Sequence, residues 1–342
     1  MRKLQNTLYV TTEGAYLHKD GETVSVKVEN KDVFRVPIHN LESIVCMSYA
    51  GISPYLMHLC AENDVSVSFL TPSGRFLGRV TGHSKGNVLL RKAQYRCSED
   101  TALSNAIAKP MIAAKITNSR FLLSRFVRDH KESKDTERVA AAAAKMKNLA
   151  VKVMASDDLD KTRGFEGMAA DTYFGVFNDI VLAGDILFNG RNRRPPKDEV
   201  NCILSFLYTL LYHDARSAVE SAGLDPAVGF LHRDRPGRMS LALDLMEEFR
   251  PVLADKTALN LLNLRKVKKD DFTFKENGAV ELSDSARKTV ITEYQNRKKT
   301  MITHPLLNEK MELGLVLFVQ VRLLGSYLRG EVETYPPFFW SV

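Results

Sequence analysis

The hydrophobic period of this chain changes once, near residue 90, and that change limits the folds open to it. Before it, TLYVT, AYLHKD, ETVSVKV, DVFRVPI, LESIVCM, VSVSFL and FLGRVTG are short and rich in β-branched residues, with Gly, Asp or Asn turn signals between them. One helical stretch, Pro54 to Asn63, interrupts them. Beyond residue 90, helix-length amphipathic segments follow near 101–130, 134–155, 164–185, 197–221, 239–249, 255–263, 281–299 and 305–330. Residues 272–280 read as a small hairpin or loop. The expectation is an α+β protein: a small β-rich domain over residues 1–90, then a larger all-helical domain over 91–342. A sheet as small as the first buries little, so it is expected to pack on something, most simply a second copy of itself, the alternative being that it only caps the helical domain. The closing segment ETYPPFFWSV has no helical or strand period and reads either as a flexible tail or as a docking segment.

With 342 residues the chain is long enough for two domains, and 44 % hydrophobic with 26 % charged residues is ordinary for a soluble protein. No apolar run is long enough to span a bilayer, and MRKLQNTLYV lacks the apolar core of a signal peptide. A cytoplasmic protein with no membrane partner is therefore expected. Cys46, Cys60, Cys97 and Cys202 form no CxxC pair, which argues against a disulfide framework and a thiolate zinc site. The formal net charge is +7, and residues 1–90 hold nine Lys and Arg against eight acids, so the basic excess belongs to the helical part. Such an excess suits a polyanionic partner.

Glu166, in RGFEGMAADTYF, heads a stripe with positions 169, 170, 173, 174 and 177, otherwise Ala, Tyr or Phe. An ionised carboxylate on a core-facing stripe is costly unless a metal or a cation compensates it. His232 ends the apolar run 227–231 of GLDPAVGFLH, so its ring is delivered from a packed segment. In SLALDLMEEFRP, Asp244 and Glu247 stand at i and i+3 on one helix face. Glutamate, histidine and a second carboxylate form a donor set without thiolate, suited to Mg²⁺ or Mn²⁺ acting on phosphate. Against this, the acids of that helix could be a solvated face and the histidine a satisfied core residue. Periodicity alone leaves Glu247 and Glu248 equivalent.

Basic residues recur on the helical segments. Lys115, Arg120, Arg125 and Arg128 share one segment; Arg191, Arg193, Arg194 and Lys197 flank Pro195 and Pro196 at a helix start, where free N–H groups favour phosphate. Arg238 lies beyond His232, and further basic runs occupy 265–269 and 297–299. Asn201, Ser205 and Tyr208 form a polar stripe at i, i+4 and i+7, read either as cleft lining or as a buried network.

RGFEGMAADTYF, NRRPPKDEVNCILSFLY, SAGLDPAVGFLHRDRPGRMSLALDLMEEFRP and AAKITNSR together resemble the CRISPR-associated spacer-acquisition integrases, the first of the two core adaptation proteins, over essentially the whole chain. In detail the likeness is to the type I-C version. The resemblance implies a divalent metal, Mg²⁺ or Mn²⁺, held by Glu166, His232 and Glu247, with Asp244 as a supporting acid of the catalytic group. It also implies a homodimer through the β domains and a small ferredoxin-like adaptation protein bridging two dimers. Its DNA partners would be a prespacer fragment and the CRISPR leader-repeat, with an adaptation-associated exonuclease as a further partner. Lys115, Arg120, Arg191, Arg193, Arg194, Lys197 and Arg238 would then bind DNA, and the reaction would be metal-dependent transesterification by a 3′-hydroxyl, with endonuclease activity when water attacks.

Two other classes stay open. One is a catalytically silent DNA-binding scaffold of the same complex, its acids structural. The other is a metal-dependent hydrolase of small substrates, although the chain has no HExxH segment, Walker-type loop or GxSxG elbow.

Overall fold

The structure is a computed structural model that describes residues 6–72, 76–82, 88–132, 135–193 and 195–340. It divides into two compact units, Met1–Lys85 and Gly86–Val342.

In the first unit the strands are β1 (Asn6–Val10), β2 (Tyr16–Asp20), β3 (Thr23–Val28), β4 (Lys31–Pro37), β5 (Leu41–Cys46), β6 (Gly51–Ile52), β7 (Ser66–Leu70) and β8 (Phe76–Val80), with one helix, α1 (Pro54–Glu62), before β7. They make two sheets, ordered β1-β5-β7-β8 and β4-β3-β2-β6. Glu29 and Asn30 both adopt left-handed backbone conformations, as a two-residue hairpin between β3 and β4 requires. Alternation puts Leu17, Val24, Ile44 and Val67 in the core with Leu56 and Cys60 of α1, all fully buried. Ser53 caps α1 by accepting from Leu56 N–H at 3.2 Å, with Pro54 at the first helical position.

The second unit contains α2 (Val88–Glu99), α3 (Thr101–Asp129), α4 (Thr136–Met154), α5 (Leu159–Gly175), α6 (Glu199–Ser221), α7 (Ser240–Glu247), α8 (Lys256–Asn263), α9 (Asp284–Lys298) and α10 (Leu313–Leu328). Helices α3, α4 and α5 pack on one another, and α6 carries α7 and α10. A π-helical turn, Arg250–Asp255, joins α7 to α8. It accommodates Pro251, which has no N–H to give to an α-helical ladder. Among the described residues no helix is long and apolar enough to cross a membrane.

Several segments differ from the expected ones. The hairpin read at 272–280 is present, β9 (Phe272–Phe274) pairing with β10 (Val280–Leu282), but the unit is not otherwise wholly helical, because β11 (Met301–Thr303) pairs with β12 (Lys310–Glu312). The second hairpin occupies the start of the expected 305–330 helix: Asn308 turns the chain with a positive φ, and α10 begins at Leu313. Helix α5 starts five residues before the expected 164, because the Asp158 side chain caps it by accepting from Lys161 N–H at 2.8 Å. Helix α2 has no counterpart among the segments expected from the sequence. The aromatic tail docks on its own chain, with Tyr335 and Phe338 each 1 % exposed and Phe338 stacked on Phe249 at 5.5 Å between centroids.

Candidate metal centre

The site is built where α3, α5, α7 and the segment before α7 meet. Helix α7 buries Leu241, Leu245 and Met246 on its apolar face, which carries Asp244 into the interior with no exposed surface. A buried carboxylate needs donors, and Asp244 has four. Its Oδ2 accepts from the N–H of Phe230 at 2.6 Å and of Leu231 at 2.9 Å; its Oδ1 accepts from His232 N–H at 3.0 Å and lies 2.6 Å from His232 Nδ1. The carboxylate thus fixes both the loop and the ring: with Nδ1–H donating, Nε2 keeps its lone pair for a ligand. Gly229 makes this approach possible, since a Cβ there would meet Asp244 Oδ2 at 2.7 Å and Ser240 Cβ at 2.8 Å.

Two further side chains hold the loop. Gln94 of α2 donates to the carbonyls of Asp225 at 2.8 Å and Val228 at 2.7 Å and accepts from Asp225 N–H at 2.9 Å. Arg163 of α5 donates to Leu231 O at 2.7 Å, tying the histidine segment to the helix that carries Glu166. Neither residue has a sequence signature, because their partners are 131 and 68 positions away.

Glu247 ends α7 with its side chain 3 % exposed. Lys115 Nζ is 2.8 Å from its Oε2, Arg250 Nη2 is 3.1 Å from Oε1, and His232 Nε2 is 3.9 Å from Oε1. Lys115 also donates to Glu166 Oε1, so one ammonium bridges the two glutamates. Burial opposes ionisation of Glu247, but Arg250, Lys115 and His232 together bring its pKa down to about 2. Burial likewise opposes the Lys115 ammonium, yet Glu247 and Glu166 hold its pKa above the ordinary lysine value.

Glu248, equivalent to Glu247 by periodicity, faces elsewhere. Its Oε1 accepts from Tyr335 OH at 2.6 Å, and its Oε2 from Phe338 N–H at 2.7 Å and Gln320 Nε2 at 3.4 Å. Burial pushes its carboxyl up to about 8, against the pull of those donors. The tail therefore claims Glu248 and leaves Glu247 to the site.

The basic residues divide in the same way. Lys115 is a member of the acid cluster, with its ammonium committed to carboxylates. Arg191 is held inside by Asn201 Oδ1 at 2.5 Å and Ser205 Oγ at 3.4 Å, with its guanidinium 5.2 Å from the centre of the Tyr208 ring. Tyr208 in turn donates to Asp255 at 2.7 Å, so the 201, 205 and 208 stripe is a hydrogen-bonded network, with Asn201 buried and Ser205 and Tyr208 half-buried. Arg120 and Arg238 are half-buried, Arg238 donating to Arg233 O at 3.4 Å, while Arg193 and Lys197 are exposed. Arg194 lies outside the described residues.

Among the described residues, no three His, Cys, Asp or Glu side chains already form a metal cage. The donors nevertheless fit a hard divalent ion. Two carboxylates converge on one cationic group, and Glu247 Oε2 is buried without an aligned hydrogen bond despite its ion contact with Lys115. The imidazole presents Nε2 with its other nitrogen braced by a carboxylate.

The family description "CRISPR associated protein Cas1" matches residues 8–296. The chain belongs to the Cas1 family. A CRISPR-associated endonuclease Cas1 of Chlorobaculum tepidum is 47 % identical over 342 residues, covering 99 % of this chain and all of the relative. One from Rhodospirillum rubrum is 50 % identical over 347 residues, covering both chains fully. Among solved structures, a casposase bound to its integration product superposes with a TM-score of 0.84 at 23 % identity, over 98 % of this chain and 95 % of that one. A chain of a Cas6-RT-Cas1–Cas2 complex superposes with a TM-score of 0.83 at 24 % identity, over 99 % of this chain and 36 % of that one. At these identities the two structures establish the shared fold of a β-rich region followed by a helical domain.

Proposed function

We propose that this Cas1 protein is a metal-dependent DNA integrase and endonuclease of CRISPR adaptation, joining foreign fragments to the repeat by transesterification. The observation that carries this reading is the convergence of Glu166 and Glu247 on a single cationic group beside a histidine whose ring is braced by Asp244. The endonuclease names of full-length relatives support it. Glu166, Glu247 and His232 Nε2 would hold a Mg²⁺ or Mn²⁺ ion, whose chemistry is to polarise a phosphodiester and stabilise the departing 3′ oxygen. Asp244 keeps the histidine in the ligand tautomer. Lys115 and Arg250 balance the two glutamates and supply positive charge where phosphate negative charge must be accommodated. A DNA 3′-hydroxyl attacks phosphorus in line, the new P–O bond forms, and the old P–O3′ bond breaks with its oxygen taking up the proton. With water as nucleophile the same displacement is hydrolysis.

Arg120, Arg193, Arg194, Lys197 and Arg238 would contact backbone phosphates with little sequence readout. The Cas2 named with the structural relative supports a small ferredoxin-like partner here, bridging two homodimers in the cytoplasm, with prespacer and leader-repeat DNA as substrates. The type I-C assignment and an exonuclease partner rest on the sequence resemblance.

A second reading, a catalytically silent DNA-binding scaffold, is favoured by one observation: Lys115 and Arg250 together supply two cations to the two glutamates, as a purely structural acid cluster would need. Strand transfer of a labelled duplex with 3′-hydroxyl ends into a supercoiled leader-repeat plasmid, with the small partner, separates the two. Joining in Mn²⁺ that is abolished by EDTA and by His232→Ala supports the integrase. Salt-sensitive DNA binding by an intact complex with no joining in Mn²⁺ leaves the scaffold.

A further inference from the structure

A second basic cluster lies in the helical unit, on the side where the aromatic tail docks. Asn118 of α3 donates to the carbonyls of Glu248 at 2.9 Å and Phe338 at 3.0 Å and accepts from Trp340 N–H at 2.8 Å, which fixes Trp340 against α3. The indole lines one side of a shallow open pocket, whose wall also includes Arg125, Lys256 and Arg297. Arg297 is held in place by donating to Val252 O at 2.9 Å, with its guanidinium 4.7 Å from the centre of the Trp340 ring. No carboxylate lines the pocket.

Three cations around one cavity without an acid in its wall repel one another. Burial first, and then Arg125, depress Arg297 to about 10; burial, Arg125 and Arg297 lower Lys256, with Asp129 a weaker opposing influence. Asp129 reaches Arg125 only through a 3.4 Å contact on the helix surface. Such a grouping does little for stability, because Lys256 and Arg297 lose hydration and the one nearby acid, Asp129, sits on the helix surface outside the pocket wall. An anion entering the pocket removes the repulsion from all three at once. Guanidinium beside ammonium and indole recognises a phosphate attached to a planar base better than a carboxylate alone.

We propose that the pocket formed by Arg125, Lys256, Arg297 and Trp340 is a phosphate-binding site for a nucleotide unit, either the phosphate of a single DNA strand or a free nucleotide. It is separate from the candidate metal centre and uses none of its ligands. Trp340 is the only tryptophan in the chain, so its fluorescence reports occupancy directly.

The experiment titrates the full-length protein in EDTA with inorganic phosphate, with thymidine monophosphate and with a short oligothymidylate, against sodium chloride at matched ionic strength. A saturable change in Trp340 emission with any phosphate probe and none with chloride is expected, and Lys256→Gln and Arg125→Gln each weaken it roughly tenfold, the size of one charge-assisted contact. A response to oligothymidylate alone assigns the phosphate to a DNA strand; a response to the monophosphate as well assigns it to a free nucleotide. Unchanged Trp340 emission while anisotropy shows the oligonucleotide bound overturns the site, and so does a saturable response that neither substitution weakens. Because metal is absent throughout, either result leaves the integrase reading untouched.

Discussion

His232 Nδ1 stands 2.6 Å from Oδ1 of Asp244, a carboxylate with no exposed surface that also accepts the backbone N–H groups of residues 230 to 232. One acid therefore sets the position of the histidine segment and the tautomer of its ring. Asp244→Asn replaces one of two accepting oxygens with an NH2 group, which must face either the N–H groups of Phe230 and Leu231 or those of His232. Mn²⁺ affinity measured by calorimetry is expected to fall about 10- to 100-fold, the usual effect of losing a partner behind a ligating histidine. Unchanged affinity would remove Asp244 from that role.

Lys115 supplies the cation between Glu166 and Glu247. Lys115→Met leaves two carboxylates facing one another, one of them almost wholly buried, and should cost on the order of 3 kcal/mol in EDTA. Mn²⁺ then has no ammonium to displace. The thermal shift on adding Mn²⁺ is expected to be larger in Lys115→Met than in wild type. Equal shifts would mean that the metal and the ammonium do not share a site.

Glu248 gives the helical unit a pH dependence of defined sign. Its folded pKa, about 8, lies above the ordinary 4.5, so the folded state binds the extra proton between those values. Its contribution is fully present below about 4.5 and is lost as pH rises through about 8. In urea unfolding across this window, Glu248→Gln is expected to gain stability relative to wild type as pH increases. A constant difference between the two proteins would contradict this.

The tail is part of the folded unit. Phe338 is 1 % exposed and stacks on Phe249, two residues beyond Glu247. Phe338→Ala should lower stability by roughly 3–5 kcal/mol, as for other buried aromatic truncations. A loss below 1 kcal/mol by denaturant titration would mean that the tail is held loosely.

What could be read from the sequence follows from how local each determinant is. The strands of the first unit were legible because β-branched alternation and turn residues act over a few positions. The α7 pair at 244 and 247 was legible for the same reason. The β11–β12 hairpin was not, because MIT and KME are three-residue strands next to the strongly helical LGLVLFVQVRLL. The choice between Glu247 and Glu248 was invisible to periodicity, since it is decided by Tyr335 and Phe338, 87 and 90 positions away. Lys115 looked like one cation in a basic stripe, and its partners Glu166 and Glu247 lie on other helices. The hold of Asn201, Ser205 and Tyr208 on Arg191 likewise depends on a loop folding back onto α6, which composition does not reveal.

The most direct test of the central claim is a Mn²⁺ titration followed by electron paramagnetic resonance of the free ion, on wild type, Glu166→Gln, His232→Ala and Glu247→Gln, with circular dichroism to confirm folding. One tight Mn²⁺ site per chain in wild type, lost or severely weakened in each folded variant, is the expected result. Tight binding of the same stoichiometry in all three variants would contradict a metal centre built from these residues.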